Sequence, residues 1–224
     1  VRSRAWGLGN VVDVHLGAGR FADALAVAGG IEEESSRLAA LRDIAVGQAE
    51  AGLFDEAQST VAMIPPSWTR IMTLRGILDA QVASGAPADL AAALDQLTEA
   101  ARAMPEPSTR ALALASAATG AAAAGDPDMA RALFDEALDI AHREDSNALV
   151  GIAVEQVRAG FLDDARATVS GPGWQARSHV ATIMAEEGEV EAARQVFSEI
   201  VTLLRSQSDP ILRSSALRDV AQYQ

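Results

Sequence analysis

The chain has 224 residues, a formal net charge of −13 and no cysteine. The acidic balance argues against nucleic-acid binding, which needs a basic surface, and the lack of cysteine excludes disulfides and thiolate metal sites. No apolar run approaches the ~18 residues that a membrane-spanning helix requires, so we expect no membrane insertion. We expect a cytoplasmic protein, and the periplasm is the other compartment that this composition allows.

A repeated segment dominates the sequence. Residues 41–57, LRDIAVGQAEAGLFDEA, and residues 149–165, LVGIAVEQVRAGFLDDA, share Leu, Ile-Ala-Val, Gln, Ala-Gly, Asp and Ala at equivalent positions. Looser copies centre on further glycines, at intervals of about 28 to 40 residues, which is the period of solenoids built from two-helix units. The glycines of the six copies are Gly19, Gly52, Gly85, Gly125, Gly160 and Gly188.

Each copy predicts two helices separated by its glycine. Apolar residues before the glycine recur at steps of three and four, as at Leu41, Ile44 and Ala45, so they share one helix face. The glycine ends this first helix because it adopts the left-handed conformation at low cost. A small residue five positions later allows the second helix to approach closely. It is alanine in five copies: Ala24, Ala57, Ala130, Ala165 and Ala193.

The predicted units follow one another without a long linker. In chain order they span residues 1–33, 35–67, 69–107, 109–144, 146–173 and 175–209, and a lone capping helix follows at 211–224. Ser35 or Ser36 is the predicted N-cap of the second unit. The third unit has a long second helix at 89–104, whereas Gly171-Pro172-Gly173 stops the second helix of the fifth unit early. The alanine-rich first helix of the fourth unit predicts the closest helix contact in the chain.

The fourth unit also carries a family resemblance. Its segment GDPDMARALFDEA, which begins at Gly125, resembles the tetratricopeptide (TPR) family. The resemblance implies the family's turn glycine at Gly125, its small residues at Ala130 and Ala137, and its aromatic residue at Phe134. We therefore predict a single all-α domain over the whole chain. Its expected architecture is an α-solenoid, a right-handed superhelix of about six helix-turn-helix repeats plus a C-terminal capping helix, with HEAT-type repeats as the alternative.

The same resemblance implies a binding face. TPR proteins bind peptides on the concave face that their first helices form, so we expect a protein or peptide partner and no enzymatic activity. The residues carried over to that face by register are Arg42, Arg75, Asp79, Arg158, Arg218 and Gln222. The expected function is a protein–protein interaction scaffold. The alternatives are a small-molecule-sensing or enzyme-associated domain, and a scaffold that forms homo-oligomers through its N-terminal face.

Arginine recurs near the start of the first helices. The row consists of Arg4, Arg37, Arg70, Arg110 and Arg213, and Asp145 and Gly173 interrupt it. A cation at a helix start is unfavourable by about 0.3–1 kcal/mol because of the helix dipole. One interpretation is structural: each guanidinium binds the carbonyls that end the preceding helix, or a nearby carboxylate. The other is a row of cations that binds an acidic partner.

Glutamine recurs on the apolar face of the first helices, at Gln48, Gln81, Gln156 and Gln224. A buried amide without partners costs about 1–3 kcal/mol, so these side chains are expected to bond neighbouring helices or to bind the backbone of a peptide. Trp68 and Trp174 precede first helices, where each either fills the junction between units or anchors a partner.

Signals for catalysis are weak. His15, His142 and His179 fall in different units, with no spacing that makes a metal pair. Serine and threonine concentrate at helix starts, where capping accounts for them. We expect no catalytic residues, no metal site and no cofactor.

Overall fold

A computed structural model describes residues 2–85, 90–144, 148–171 and 173–205, with the side chains of residues 2–5 excepted. Helices account for 82% of the described residues, and no strand occurs among them, which confirms the all-α prediction. No helix in these ranges is both long and apolar enough to cross a bilayer. The predicted capping helix, Arg213, Arg218, Gln222 and Gln224 lie outside the described residues, as does the side chain of Arg4.

The described residues form twelve helices, arranged as six successive pairs. They are α1 (Arg2–Gly17), α2 (Phe21–Gly29), α3 (Glu34–Glu50), α4 (Phe54–Val61), α5 (Trp68–Ser84), α6 (Leu90–Arg102), α7 (Pro107–Ala123), α8 (Pro127–Arg143), α9 (Ala148–Arg158), α10 (Leu162–Thr168), α11 (Trp174–Glu186) and α12 (Val190–Arg205). The odd-numbered helices are the first helices of the predicted units and the even-numbered ones the second helices.

All six repeat glycines have the predicted left-handed conformation, with φ between 66° and 89°. At Gly52 the turn closes when Leu53 N donates to Gln48 O at 2.8 Å, and at Gly160 the equivalent bond joins Phe161 N to Gln156 O at 2.8 Å. These bonds satisfy carbonyls that would otherwise be unpaired at the end of the first helix. The chain therefore reverses direction at each glycine, and the two helices of a unit pack side by side.

The five alanines that follow these glycines are buried, and none is more than 2% exposed.

Three glycines inside first helices mark close contacts between neighbouring units. A Cβ built on Gly76 would lie 2.8 Å from Val46 Cγ2, and one on Gly120 would lie 2.7 Å from Leu78 Cδ2. A Cβ on Gly151 would overlap Leu112. First helices of successive units thus approach each other where a side chain is missing.

Packing is local along the chain. Every substantial contact between described helices joins helices that are one or two positions apart, and first helices α3, α5, α7, α9 and α11 each pack on the preceding first helix. Among the described helices, the pair α7 and α8 makes the most extensive contact. Contacts of this kind fit a helical repeat, in which each unit touches only its neighbours.

The serine cap predicted for α3 is wrong. Glu33 is the N-cap, and its carboxylate accepts hydrogen bonds from Ser35 N at 3.2 Å and Ser36 N at 2.7 Å. Glu106 caps α7 in the same way by accepting from Thr109 N at 2.7 Å. An ionised carboxylate serves well at this position because it also interacts favourably with the positive end of the helix dipole.

Candidate functional site

Two of the residues predicted for the binding face meet in one polar network. Arg75 of α5 donates from Nε to Asp79 Oδ1 at 2.9 Å and from Nη1 to Ser116 O of α7 at 2.8 Å. Its Nη1 also lies 3.9 Å from Glu155 Oε2 of α9. The side chains of Arg75 and Glu155 are each only 17% exposed, whereas that of Asp79 is 49% exposed. Arg75 therefore joins three first helices, and Asp79 remains accessible.

Arg158 extends this network toward the C-terminal units. It donates from Nη1 to Glu155 Oε1 at 2.7 Å, and its Nε lies 3.9 Å from Glu187 Oε1. Thr119 of α7 donates to the other carboxylate oxygen of Glu155 at 2.9 Å. The network thus runs from Asp79 to Glu187 across four successive first helices. Glu155 is its centre. The sequence shows only its i,i+3 spacing to Arg158, because its other partners, Arg75 and Thr119, come from α5 and α7.

Arg42 lies apart from this network and lines a cavity of about 810 Å³. It is bonded to its neighbour Asp43, from Nε at 2.9 Å and from Nη2 at 2.8 Å, and its side chain is 45% exposed. No hydrogen bond or ion pair joins Arg42 to the Arg75 network within the described residues. The apolar walls of the cavity come from α1, α2, α3 and α5, through Leu16, Phe21, Val46 and Met72.

The arginine row divides into different environments. Arg70 donates to Ile64 O at 3.0 Å, and Arg110 donates to Met104 O at 2.8 Å and Pro105 O at 3.1 Å. These carbonyls belong to turn residues beyond the ends of α4 and α6, whereas the structural interpretation named the carbonyls that end the preceding helix itself. The half-buried Arg37 makes no side-chain hydrogen bond or ion pair with any described residue.

Arg177 makes the same kind of contact although it was not predicted to. It donates to Val169 O at 3.1 Å and also to Ser170 O. Counting back from the repeat glycine misses this residue, because α11 has 13 residues where α3, α5 and α7 have 17. Counting forward from the helix start would have found it, since Arg177, like Arg110, is the fourth residue of its helix.

The glutamines of the predicted row also differ in their hydrogen bonding. Gln48 and Gln156 are buried, and each accepts a hydrogen bond at its amide oxygen, from Thr60 at 2.7 Å and Thr168 at 2.8 Å respectively. The amide oxygen of Gln81 is buried and has no hydrogen-bond partner among the described residues. The two paired glutamines therefore join the helices of their own units, and a threonine 12 residues later is the sequence signal for this pair.

The two tryptophans also differ. Trp174 is half-buried against the apolar cluster of the C-terminal units, as a residue that fills a junction would be. Trp68 is 42% exposed. The most exposed tryptophan is Trp6 of α1, at 73%, and Val14 on the same helix is 65% exposed. The N-terminal helix therefore presents apolar side chains to solvent.

The acids with shifted pKa values lie at helix starts and not in a cluster. Hydrogen bonds from Ser36 and Ser35 lower the pKa of Glu33 to about 2, and bonds from Thr109 lower the pKa of Glu106. In the part of the chain that the structure describes, no three His, Asp or Glu residues are grouped so that they could hold a metal ion.

Comparison with known proteins gives no family assignment. No protein-family model matches the chain, and no curated protein has a similar sequence.

Proposed function

We propose that this chain is a TPR-like scaffold, a right-handed α-solenoid that does not catalyse a reaction. It binds a segment of a partner protein on the side of the first helices that carries Arg42, Arg75, Asp79 and Arg158, which we call the first-helix face. The observation that carries the proposal is the cavity between α1, α3 and α5, because it combines apolar walls with a charged rim. Binding sites for side chains of a partner have this composition, with an apolar pocket for an anchor and polar groups at its edge.

The charges on this face favour a basic partner segment. Its exposed or half-exposed carboxylates outnumber its exposed guanidinium groups, and the whole chain carries a net charge of −13. Complementary charge steers association and disfavours wrong partners. The carboxylates are Asp43, Glu50, Asp79 and Glu187, and the guanidinium groups are those of Arg42 and Arg158. We expect a segment that combines one large apolar side chain with Lys or Arg.

Selection of peptides from a random displayed library, followed by affinity measurements on protein variants, tests this proposal. Met72→Arg places a cation at the cavity wall and removes an exposed apolar contact, so selected peptides should bind it about tenfold more weakly or worse. The matched control is Met63→Arg, which changes another exposed methionine, outside this cavity. Basic peptides that bind both variants as tightly as the wild type would refute the first-helix face as the site.

A second candidate function is self-assembly through α1. The observation in its favour is the exposure of Trp6 and Val14 on this helix. Sedimentation equilibrium at protein concentrations up to about 100 μM tests it, because an apolar contact between copies should raise the average mass with concentration. The mass of Trp6→Ser should stay near 23.3 kDa. A wild type that also stays at that mass excludes this candidate.

A further inference from the structure

A second cavity, of about 640 Å³, lies on the opposite side of the units, between second helices α8 and α10. It exists because the two helices differ in length: α8 has 17 residues and α10 has seven. The C-terminal half of α8 therefore extends past the end of α10. Phe134, Leu138 and Leu149 supply apolar wall. The volume is within the range of about 300–1,000 Å³ that small-molecule sites occupy.

The polar group deepest in this cavity is Gln156, which is 2% exposed. Its amide oxygen accepts the hydrogen bond from Thr168, and its amide nitrogen bonds to no described residue. This nitrogen is not among the fully buried side-chain atoms that lack a partner, so it keeps some contact with solvent. The cavity therefore presents a hydrogen-bond donor at its inner end, and a ligand that offers an acceptor there would satisfy it.

The charge left unpaired at the rim is negative. Asp135 of α8 and Asp164 of α10 lie on opposite walls, are exposed, and form no ion pair within the described ranges. The rim's arginine, Arg131, is partly neutralised by Asp128 at 3.6 Å and stacks over the Phe161 ring at 5.2 Å. His142 is exposed at the same rim. A cationic group is therefore better placed here than an anionic one.

The comparable groove between α4 and α6 lacks this arrangement. It has a similar volume, about 630 Å³, and it also lies beside a short second helix. Its lining does not include Gln81, the residue of α5 that stands in the position of Gln156 relative to this groove. The donor at the inner end therefore distinguishes the α8–α10 cavity from a gap that helix packing alone leaves.

We propose that the α8–α10 cavity binds a small cationic amphipathic ligand: an apolar body the size of an aromatic ring, a carbonyl oxygen that accepts from Gln156, and an ammonium group that the unpaired carboxylates of Asp135 and Asp164 attract. A hydrophobic amino-acid amide has this chemistry, and so does the N-terminal residue of a peptide. The site is separate from the first-helix face and does not depend on what that face binds.

Titration of the ¹⁵N-labelled full chain with L-phenylalaninamide, followed by NMR, tests the proposal. Saturable shifts of α8 and α10 amides are expected in the millimolar range, which is typical of a ligand of this size. 3-Phenylpropanoate, which has a similar body and the opposite charge, should bind about tenfold more weakly. The tripeptide amide Phe-Gly-Gly-NH₂ distinguishes the source: binding as tight as that of the single residue indicates a peptide N-terminus, and weaker binding indicates a free small molecule.

Variants locate the site. Ala167 is exposed and lines the cavity, so Ala167→Phe should fill it without changing the core and weaken binding about tenfold. Ala62→Phe, in the α4–α6 groove, is the matched control and should leave binding unchanged. Gln156→Leu and the double variant Asp135→Asn/Asp164→Asn should each weaken binding several-fold. The proposal is overturned by tight binding of the anion, by full binding to a folded Ala167→Phe variant, or by no saturation up to about 20 mM.

Discussion

At the scale of single residues, three arginines connect the end of a second helix to the start of the next first helix. Arg70, Arg110 and Arg177 each donate to one or two carbonyls in the turn that precedes their own helix. A cation is unfavourable at the start of its own helix but favourable beside the carbonyl end of another. Because these carbonyls lie beyond the last residue of the second helix, no helical hydrogen bond satisfies them, and the guanidinium group pairs acceptors that would otherwise depend on water.

Removal of such a contact should destabilise the fold. Arg110→Ala loses two hydrogen bonds from a charged donor, so the free energy of unfolding should fall by about 1–2 kcal/mol. This loss is smaller than for a buried charged donor, because the Arg110 side chain is partly exposed. Arg37→Ala is the control, and it should change the stability little because Arg37 has no such bond among the described residues. Urea denaturation measures both. Equal losses in the two variants would contradict the bracing role.

The capping residue Glu33 predicts a pH dependence. Hydrogen bonds from Ser36 and Ser35 lower its pKa from 4.5 to about 2 in the folded protein. The folded pKa is below the unfolded one, so the stabilisation is complete above about pH 5 and is lost as the pH falls toward 2. The stability difference between wild type and Glu33→Gln should therefore be constant near neutral pH and shrink on acidification. A difference that stays the same between about pH 7 and pH 3 would show that the cap does not act through its charge.

At the scale of helices, the sequence predicts what depends on local conformation and misses what depends on neighbours. The repeat glycines could be placed because each ends its own helix. Gly76 and Gly120 could not be recognised, because the reason for a missing side chain is Val46 or Leu78 on another helix. The same holds for the contacts of Glu155 with Arg75 and Thr119, which come from separate units.

The helix contact at Gly120 gives a test with a matched control. Gly→Ala inside a helix normally stabilises it by about 0.5–1 kcal/mol. Gly9→Ala in α1 should do so, because no described atom outside the backbone of its own helix lies within 4 Å of the added Cβ. Gly120→Ala should instead destabilise by about 1–3 kcal/mol through overpacking, because the Cβ would meet Leu78 and Leu97, both fully buried. Thermal melting measures both variants. If both raised the melting temperature, α5 and α7 would be farther apart than described.

At the scale of the whole molecule, local packing determines how far a perturbation spreads. α7 packs on α5, α6, α8 and α9, and none of these substantial contacts reaches α1 or α12. In a chain of units that contact only their neighbours, stability is approximately a sum of terms from units and from the interfaces between them. Damage at one interface should therefore increase opening nearby and leave distant units as they were.

Native-state hydrogen exchange of Gly120→Ala measures this directly. The amides of α5 to α9 should exchange about 5- to 150-fold faster than in the wild type for a loss of about 1–3 kcal/mol, since each 1.4 kcal/mol lost raises the population of the open state tenfold. The amides of α1, α2 and α12 should keep their protection, because no substantial contact joins these helices to α7. Gly9→Ala should slow exchange only in α1 to α3. A uniform loss of protection from α1 to α12 would mean that the chain opens as one cooperative block. That result would count against the proposed solenoid, because units that contact only their neighbours have no direct means of transmitting the loss.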